Sequence, residues 1–435
     1  MRRAALVLAL ALVATPVRQA DAYVLEEDAF EEIATEVGVI IRSFTFLLSG
    51  DLLDEPFQSD DQSPLFRELI DLRMYVQHRT RNFKFVFHNA LVTTVRSAPA
   101  LELIGLGRTG GPPRFLPLFV ELIDDDNVVL RDDVDWVYAS YRFGRLTVTA
   151  GRQPVTFGRG QLWSPLDLVG TFALTEVDRD YKPGVDALRL DLGIGDRTNF
   201  TLLASAGELV NDEDGDGNDD YDLGVEGVGS TAIGRFTTGS DRWELGLLSG
   251  WVRGDFVAGA DVVFDLDSIN VYLEASATVP IDAEDSPVTD ARVVGKAVAG
   301  VTVRTGDLTI TPELLYNGFG ASESGDYFAV ASSTRFAIGE QVTLGQVHGG
   351  LFANYDISPV LKIRGGGLIN MLDPSALASG RLVYDASGST QLILGVYVPT
   401  GDGPEVTAGP GSLPVLRSEF GTYPFFVFSE FKTVL

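Results

Sequence analysis

The sequence predicts an all-β fold: a transmembrane antiparallel up-and-down β-barrel of about 18 strands, with about 16 as the alternative. Three observations predict it. The chain opens with an export signal, its body alternates apolar and polar residues with period two, and short turns alternate with long connections.

Arg2 and Arg3 precede an apolar run from Ala4 to Ala14, and Ala20-Asp21-Ala22 offers a small-x-small cleavage site, so residues 1–22 read as a secretory signal. The run is shorter than the roughly 20 residues a spanning helix needs. Cleavage would leave 30 basic and 60 acidic residues, a formal net charge of −30. That balance argues against nucleic acid, because phosphate binding needs a basic surface, and it favours cations. The absence of Cys closes the disulfide and lipoprotein routes. No run of 18 apolar residues follows the signal, so helical spans are not expected.

The alternation occurs in segments of about 9–13 residues, the length a tilted membrane strand requires. Ile70, Leu72, Met74 and Val76 alternate with Asp71, Arg73, Tyr75 and Gln77; Val271, Leu273, Ala275 and Ala277 alternate with Asn270, Tyr272, Glu274 and Ser276. Leu188, Leu190 and Leu192 flank Arg189 and Asp191, and Leu361 and Ile363 flank Lys362 and Arg364. A basic group facing lipid at the midplane costs roughly 2–4 kcal/mol, so the polar set should face a watery lumen. A secreted β-sandwich also alternates, but it gives no reason for turn lengths to do so. Short turns are expected at 79–81, 144–145, 195–198, 239–241, 267–268, 305–307, 357–359 and 386–389. Longer connections are expected at 50–65, 97–131, 154–182, 208–228, 280–291, 318–340 and 400–423. The eight hairpins, a first strand near 37–48 and a last near 425–435 give the even count of about 18 that places both ends on the periplasmic side. The barrel thus occupies 37–435, and the acidic stretch 23–36 reads as a short periplasmic helix or disordered lead-in. Pro312 is a local misfit, since it removes a ladder hydrogen bond. Leu435 stands where many such barrels end in an aromatic residue.

Gly151-Arg152-Gln153, then Gly158-Arg159-Gly160-Gln161-Leu162-Trp163-Ser164-Pro165-Leu166-Asp167, then Asp178-Arg179-Asp180-Tyr181-Lys182-Pro183-Gly184-Val185-Asp186-Ala187-Leu188-Arg189 resemble porin-like bacterial outer-membrane β-barrels, including alginate-export-type barrels. The resemblance implies an outer-membrane channel with this loop folded into its pore. By alternation and loop position, Asp71, Arg73, Arg152, Arg159, Asp178, Arg179, Lys182, Arg189, Asp191, Glu274 and Arg364 are expected to line that pore. The expected partners are outer-membrane lipids, lipopolysaccharide and small polar solutes or ions, with weak cation selectivity, and a homotrimer is the association open to such a barrel.

Counting from Asp212, carboxylates fall at positions 1, 3, 5 and 9 of a calcium-loop pattern with Gly at 6, through Asp214, Asp216 and Asp220, whereas position 12 is Leu223. Half a calcium loop is therefore expected on an extracellular connection. The alternative function is a structural or adhesive barrel whose acidic loops bind calcium or an external partner. An enzyme is not expected, because His78, His88 and His348 come without a nucleophile motif. Trp136, Trp243, Trp251, Tyr138, Tyr141, Phe143 and Tyr355 are expected in an interfacial girdle.

Overall fold

A computed structural model describes residues 23–28, 33–49, 65–97, 112–170, 181–207, 229–281, 288–289, 292–406 and 414–435. The wall is a closed antiparallel barrel of 18 strands. They are Ile33–Leu48 (β1), Leu65–Arg79 (β2), Phe83–Arg96 (β3), Val128–Phe143 (β4), Leu146–Gln153 (β5), Val185–Ile194 (β6), Thr198–Ser205 (β7), Thr231–Gly239 (β8) and Trp243–Val252 (β9). The circuit continues with Asp255–Leu266 (β10), Ile269–Val279 (β11), Val294–Thr305 (β12), Leu308–Asn317 (β13), Val347–Ser358 (β14), Leu361–Asn370 (β15), Ser375–Asp385 (β16), Thr390–Thr400 (β17) and Phe426–Val434 (β18). Closure is direct. β18 pairs with β1 from Ile40 opposite Val434 to Leu48 opposite Phe426, so neither edge is left unpaired in hydrocarbon.

All eight expected short turns lie on the side that also holds the start of β1 and the end of β18. The other side carries the long connections and two short ones, 253–254 and 371–374. The acidic lead-in needs correcting. Tyr23–Asp28 is a strand, antiparallel to the start of β1 with Tyr23 opposite Val37 and Asp28 opposite Ile33. Its ladder bonds and the β-branched Ile33, Thr35 and Val37 win over the acidic composition. Pro312 sits inside β13, where pairing with β12 skips from Gly300/Glu313 to Val303/Ile310.

The alternation resolves into an inverted distribution of polarity. Leu273 is 51% exposed and Met74 49%, while their inward neighbours Glu274 and Arg73 are 1% and 6% exposed. Water-soluble folds bury the first kind and expose the second. Here the apolar face meets lipid and the polar face meets the barrel interior. Trp243, Trp251, Tyr141, Phe143 and Tyr355 are exposed near strand ends, as a girdle requires. Trp136 and Tyr138 depart from it. Beyond the irregular register between His88 and Asn89, both turn inward, where Trp136 lies 4.5 Å from the His88 ring and Lys84 sits over Tyr138.

Candidate functional site

The segment 154–170 leaves the wall after β5 and enters the lumen. Val155, Phe157, Leu168 and Val169 pack beneath Leu203, Ile233, Leu248 and Val257 of β7–β10. Further on, Trp163 joins a second cluster with Phe46, Tyr397 and Phe428, so the loop reaches the far wall. Glu274 of β11 receives it there: its carboxylate accepts the backbone N–H of Arg159 at 2.6 Å and of Leu166 at 2.6 Å. The loop therefore divides the bore.

The sequence-expected residues separate into distinct roles. Asp71 and Arg73 are neighbours on β2, 3.4 Å apart, with Arg73 also 2.6 Å from Asp135. Arg189 and Asp191 pair at 2.8 Å on β6. These carboxylates lie beside the basic groups, not across the lumen from them. In the loop, Arg159 pairs with Glu244 and, at 3.2 Å, with Asp261, while Lys182 pairs with Asp167 and donates to Thr156 at 3.1 Å. Arg364 lies opposite Arg381 in the β15–β16 register. Asp178, Arg179 and the four aspartates of the calcium pattern lie outside the described residues.

Arg152 requires a correction. Its side chain has 0% exposure, so it lines no water. β5 stops at Gln153, and the segment 114–118 packs against the wall beyond it. Arg152 fixes that segment: its fork binds Asp186 at 2.9 and 3.0 Å, and it donates to the carbonyls of Val134 and Leu116. Asp186 in turn accepts the N–H groups of Phe115 and Leu116, each at 2.9 Å.

The sequence reading missed the group that faces the loop. Arg42, Arg73 and Lys432 converge on the ring of Tyr181, at 4.6, 4.4 and 5.9 Å from its centroid. With Lys362, Arg364 and Arg381 they form a row of inward-facing basic residues over β15, β16, β18, β1 and β2. Lys432 was legible, sharing a face with Glu430 opposite Val427 and Phe431, whereas Arg42 sits between Ile41 and Ser43 on a face it shares with Ile40 and Phe44, so alternation gave it no signal. What alternation withheld was that strands at opposite ends of the chain bring them together.

The connection 318–346 also docks inside, through the short helices Tyr327–Ala331 and Thr334–Ala337. Arg335 pairs with Asp255 at 2.5 Å and with Glu340 at 2.9 Å, while Arg253 and Lys296 lie 3.5 and 3.9 Å from Glu340. Burial opposes ionisation of Glu340, but the cations around it hold its carboxyl down to about 2. Glu419, from the last long connection, accepts the N–H groups of Leu344 and Gly345 and lies 2.7 Å from His348.

No protein-family model and no curated protein matches the chain. Its barrel does match solved structures. OccAB1 of Acinetobacter baumannii superposes with a TM-score of 0.52 at 9% identity, over 92% of this chain and 96% of that one. OccD3 (OpdP) of Pseudomonas aeruginosa gives 0.51 at 10% identity, over 98% and 96%. A BenF-like porin from Pseudomonas fluorescens Pf-5 gives 0.51 at 9% identity, over 92% and 98%. The fold is that of a bacterial outer-membrane porin. These likenesses show the porin-type barrel fold and do not reach the alginate-export branch of the resemblance.

Proposed function

We propose that this porin-type barrel is a channel for the diffusion of small polar solutes, with a weak preference for cations at low salt. The entry of the segment 154–170 into the lumen, on the side of the barrel where the basic row faces inward, carries the reading. Dipolar solutes would turn their negative ends towards Arg364 and Arg381 as they pass. The ion preference has a separate origin. Many lumen charges are already paired, Arg73 with Asp71 and Asp135, Arg189 with Asp191, Arg235 with Asp261, and Lys362 with Asp385. The excess of −30 in the processed chain is therefore assigned largely to loops and mouths, where it raises the local cation concentration. Salt screens such an effect beyond about 10 Å at 0.1 M. On this view the histidines serve packing and pairing and take no part in catalysis. His78 bonds Thr35, His88 packs on Trp136, and His348 pairs with Glu419.

Planar-bilayer recording of the refolded protein tests the proposal. Discrete conductance steps are expected, with a reversal potential in a salt gradient that indicates modest cation preference and fades as salt rises. Anion preference at low salt would remove the selectivity claim. A folded protein without conductance steps would remove the channel itself.

A further inference from the structure

A loop that crosses a barrel has no neighbouring strand, so its buried N–H groups need other acceptors. Two wall side chains supply them. Glu274 Oε1 accepts Leu166 N–H at 2.6 Å and the Ser164 hydroxyl at 2.7 Å, and its Oε2 accepts Arg159 N–H at 2.6 Å and Gly160 N–H at 3.2 Å. Glu313 Oε1 accepts Gln161 N–H at 2.6 Å and the Tyr272 hydroxyl, and its Oε2 accepts Leu162 N–H at 3.0 Å and Trp163 N–H at 3.2 Å. Between 159 and 166 the remaining positions are Ser164, which uses its hydroxyl, and Pro165, which has no N–H.

The loop sequence is shaped to these two carboxylates. Gly158 has φ 98°, and a Cβ there would lie 2.0 Å from Ser164 Oγ and 2.7 Å from Glu274 Oε1. A Cβ on Gly160 would lie 1.6 Å from the Trp163 carbonyl oxygen. Only glycine lets the backbone curl this tightly around an acceptor. The Gly-Arg-Gly-Gln-Leu-Trp-Ser run is thus a wrapping for wall carboxylates that stand on β11 and β13, with β12 between them.

We infer that Glu274 and Glu313 set the bore of the channel and so determine the size of solute it passes, an inference that rests on the channel reading above. Each oxygen takes two donors, and this decides which replacements fail. Glutamine would turn an NH2 group towards two donors, so Glu→Gln breaks half of each clamp while keeping its size. The four oxygens act through the loop they hold, which makes both residues positioning residues for the constriction.

The test is single-channel conductance and the size limit for neutral solutes in E274Q/E313Q. Withdrawal of the loop should roughly double the conductance and admit larger solutes. Gly160→Ala, which leaves the wall untouched, should widen the channel in the same direction and serves where the double variant does not assemble. A lock then identifies the cause. A Cβ on Gly350 would lie 2.3 Å from Leu162 Cδ1, and the chain has no cysteine of its own, so L162C/G350C can tether the loop tip to β14. Oxidising that pair within E274Q/E313Q should restore the wild-type conductance, and reduction should release it. Unchanged conductance and size limit in both E274Q/E313Q and Gly160→Ala would overturn the inference. So would a widening that the lock does not reverse, because it would then come from lost charge. Absence of channels in the folded wild type would instead count against the channel reading.

Discussion

The lipid-facing belt and the lumen are built from the same strands, yet they are specified differently. Outward, Leu188, Leu247, Leu273, Leu314, Leu351 and Ile363 are all half exposed and share only their apolar character. At buried polar positions, Arg152 meets Asp186, Arg235 meets Asp261, and Glu313 meets three consecutive N–H groups. Lipid asks a side chain only to be apolar, because a hydrocarbon neighbour offers no directional contact. A buried polar group asks for a particular partner at a particular distance, and losing that partner leaves the other group uncompensated. Substitutions should therefore be judged by class in the belt and by pair in the lumen.

The largest effect should come from breaking a pair. Arg152→Ala leaves Asp186 buried without its fork and frees the segment at Leu116, at a cost of roughly 3–5 kcal/mol. Urea titration of the refolded barrel in vesicles should show it, and a midpoint equal to wild type would mean that this pair is dispensable. Next comes a breach of class. Leu273→Arg puts a charge on the lipid face at a cost of about 2–4 kcal/mol if it lies at the midplane, whereas Leu273→Ile should be nearly silent. Equal folded fractions for the two variants would show that this face does not meet lipid.

An acid titration sharpens the pairwise side of the comparison. Glu340 is held down to about 2 in the folded chain against an ordinary 4.5, so its contribution is complete above about 4.5 and is lost as pH falls through about 2. Docking of the connection 318–346, followed by a fluorophore at Ser322→Cys, should hold from neutrality to pH 4.5 and loosen only below it. Release between pH 7 and 5 would contradict that sign. The smallest effect is expected where neither rule applies. The acidic stretch with Asp212, Asp214, Asp216 and Asp220 should bind calcium weakly, with a Kd of roughly 10⁻⁴–10⁻³ M, given Leu223 at position 12. Calorimetry giving the same titration for wild type and Asp214→Ala would argue against a site there.

The contrast also explains how much could be read in advance. The barrel, its eight short turns and the inward faces of β2, β6, β11 and β15 follow from alternation, because a strand's period of two is local. Glu313 was equally legible, one position after Pro312 and before Leu314, but nothing local says which inward carboxylate will receive a loop. Arg152 was misassigned because alternation carries no information about the packing of 114–118 beyond the end of β5. Trp136 turned inward because the register shift at His88/Asn89 reverses parity, and a shift is a property of two strands rather than one.

By itself the sequence determined which residues face lipid wherever the register is regular, since hydropathy at every second position is settled one strand at a time and water or hydrocarbon reads it directly. Only the tertiary structure decided what the inward residues do. Barrel closure brings Arg42 near the beginning of the chain beside Lys432 near its end, and sets Glu274 and Glu313 against a loop more than a hundred residues earlier. Those partners are chosen by geometry around the barrel circuit, where distance along the chain is no guide to distance in space.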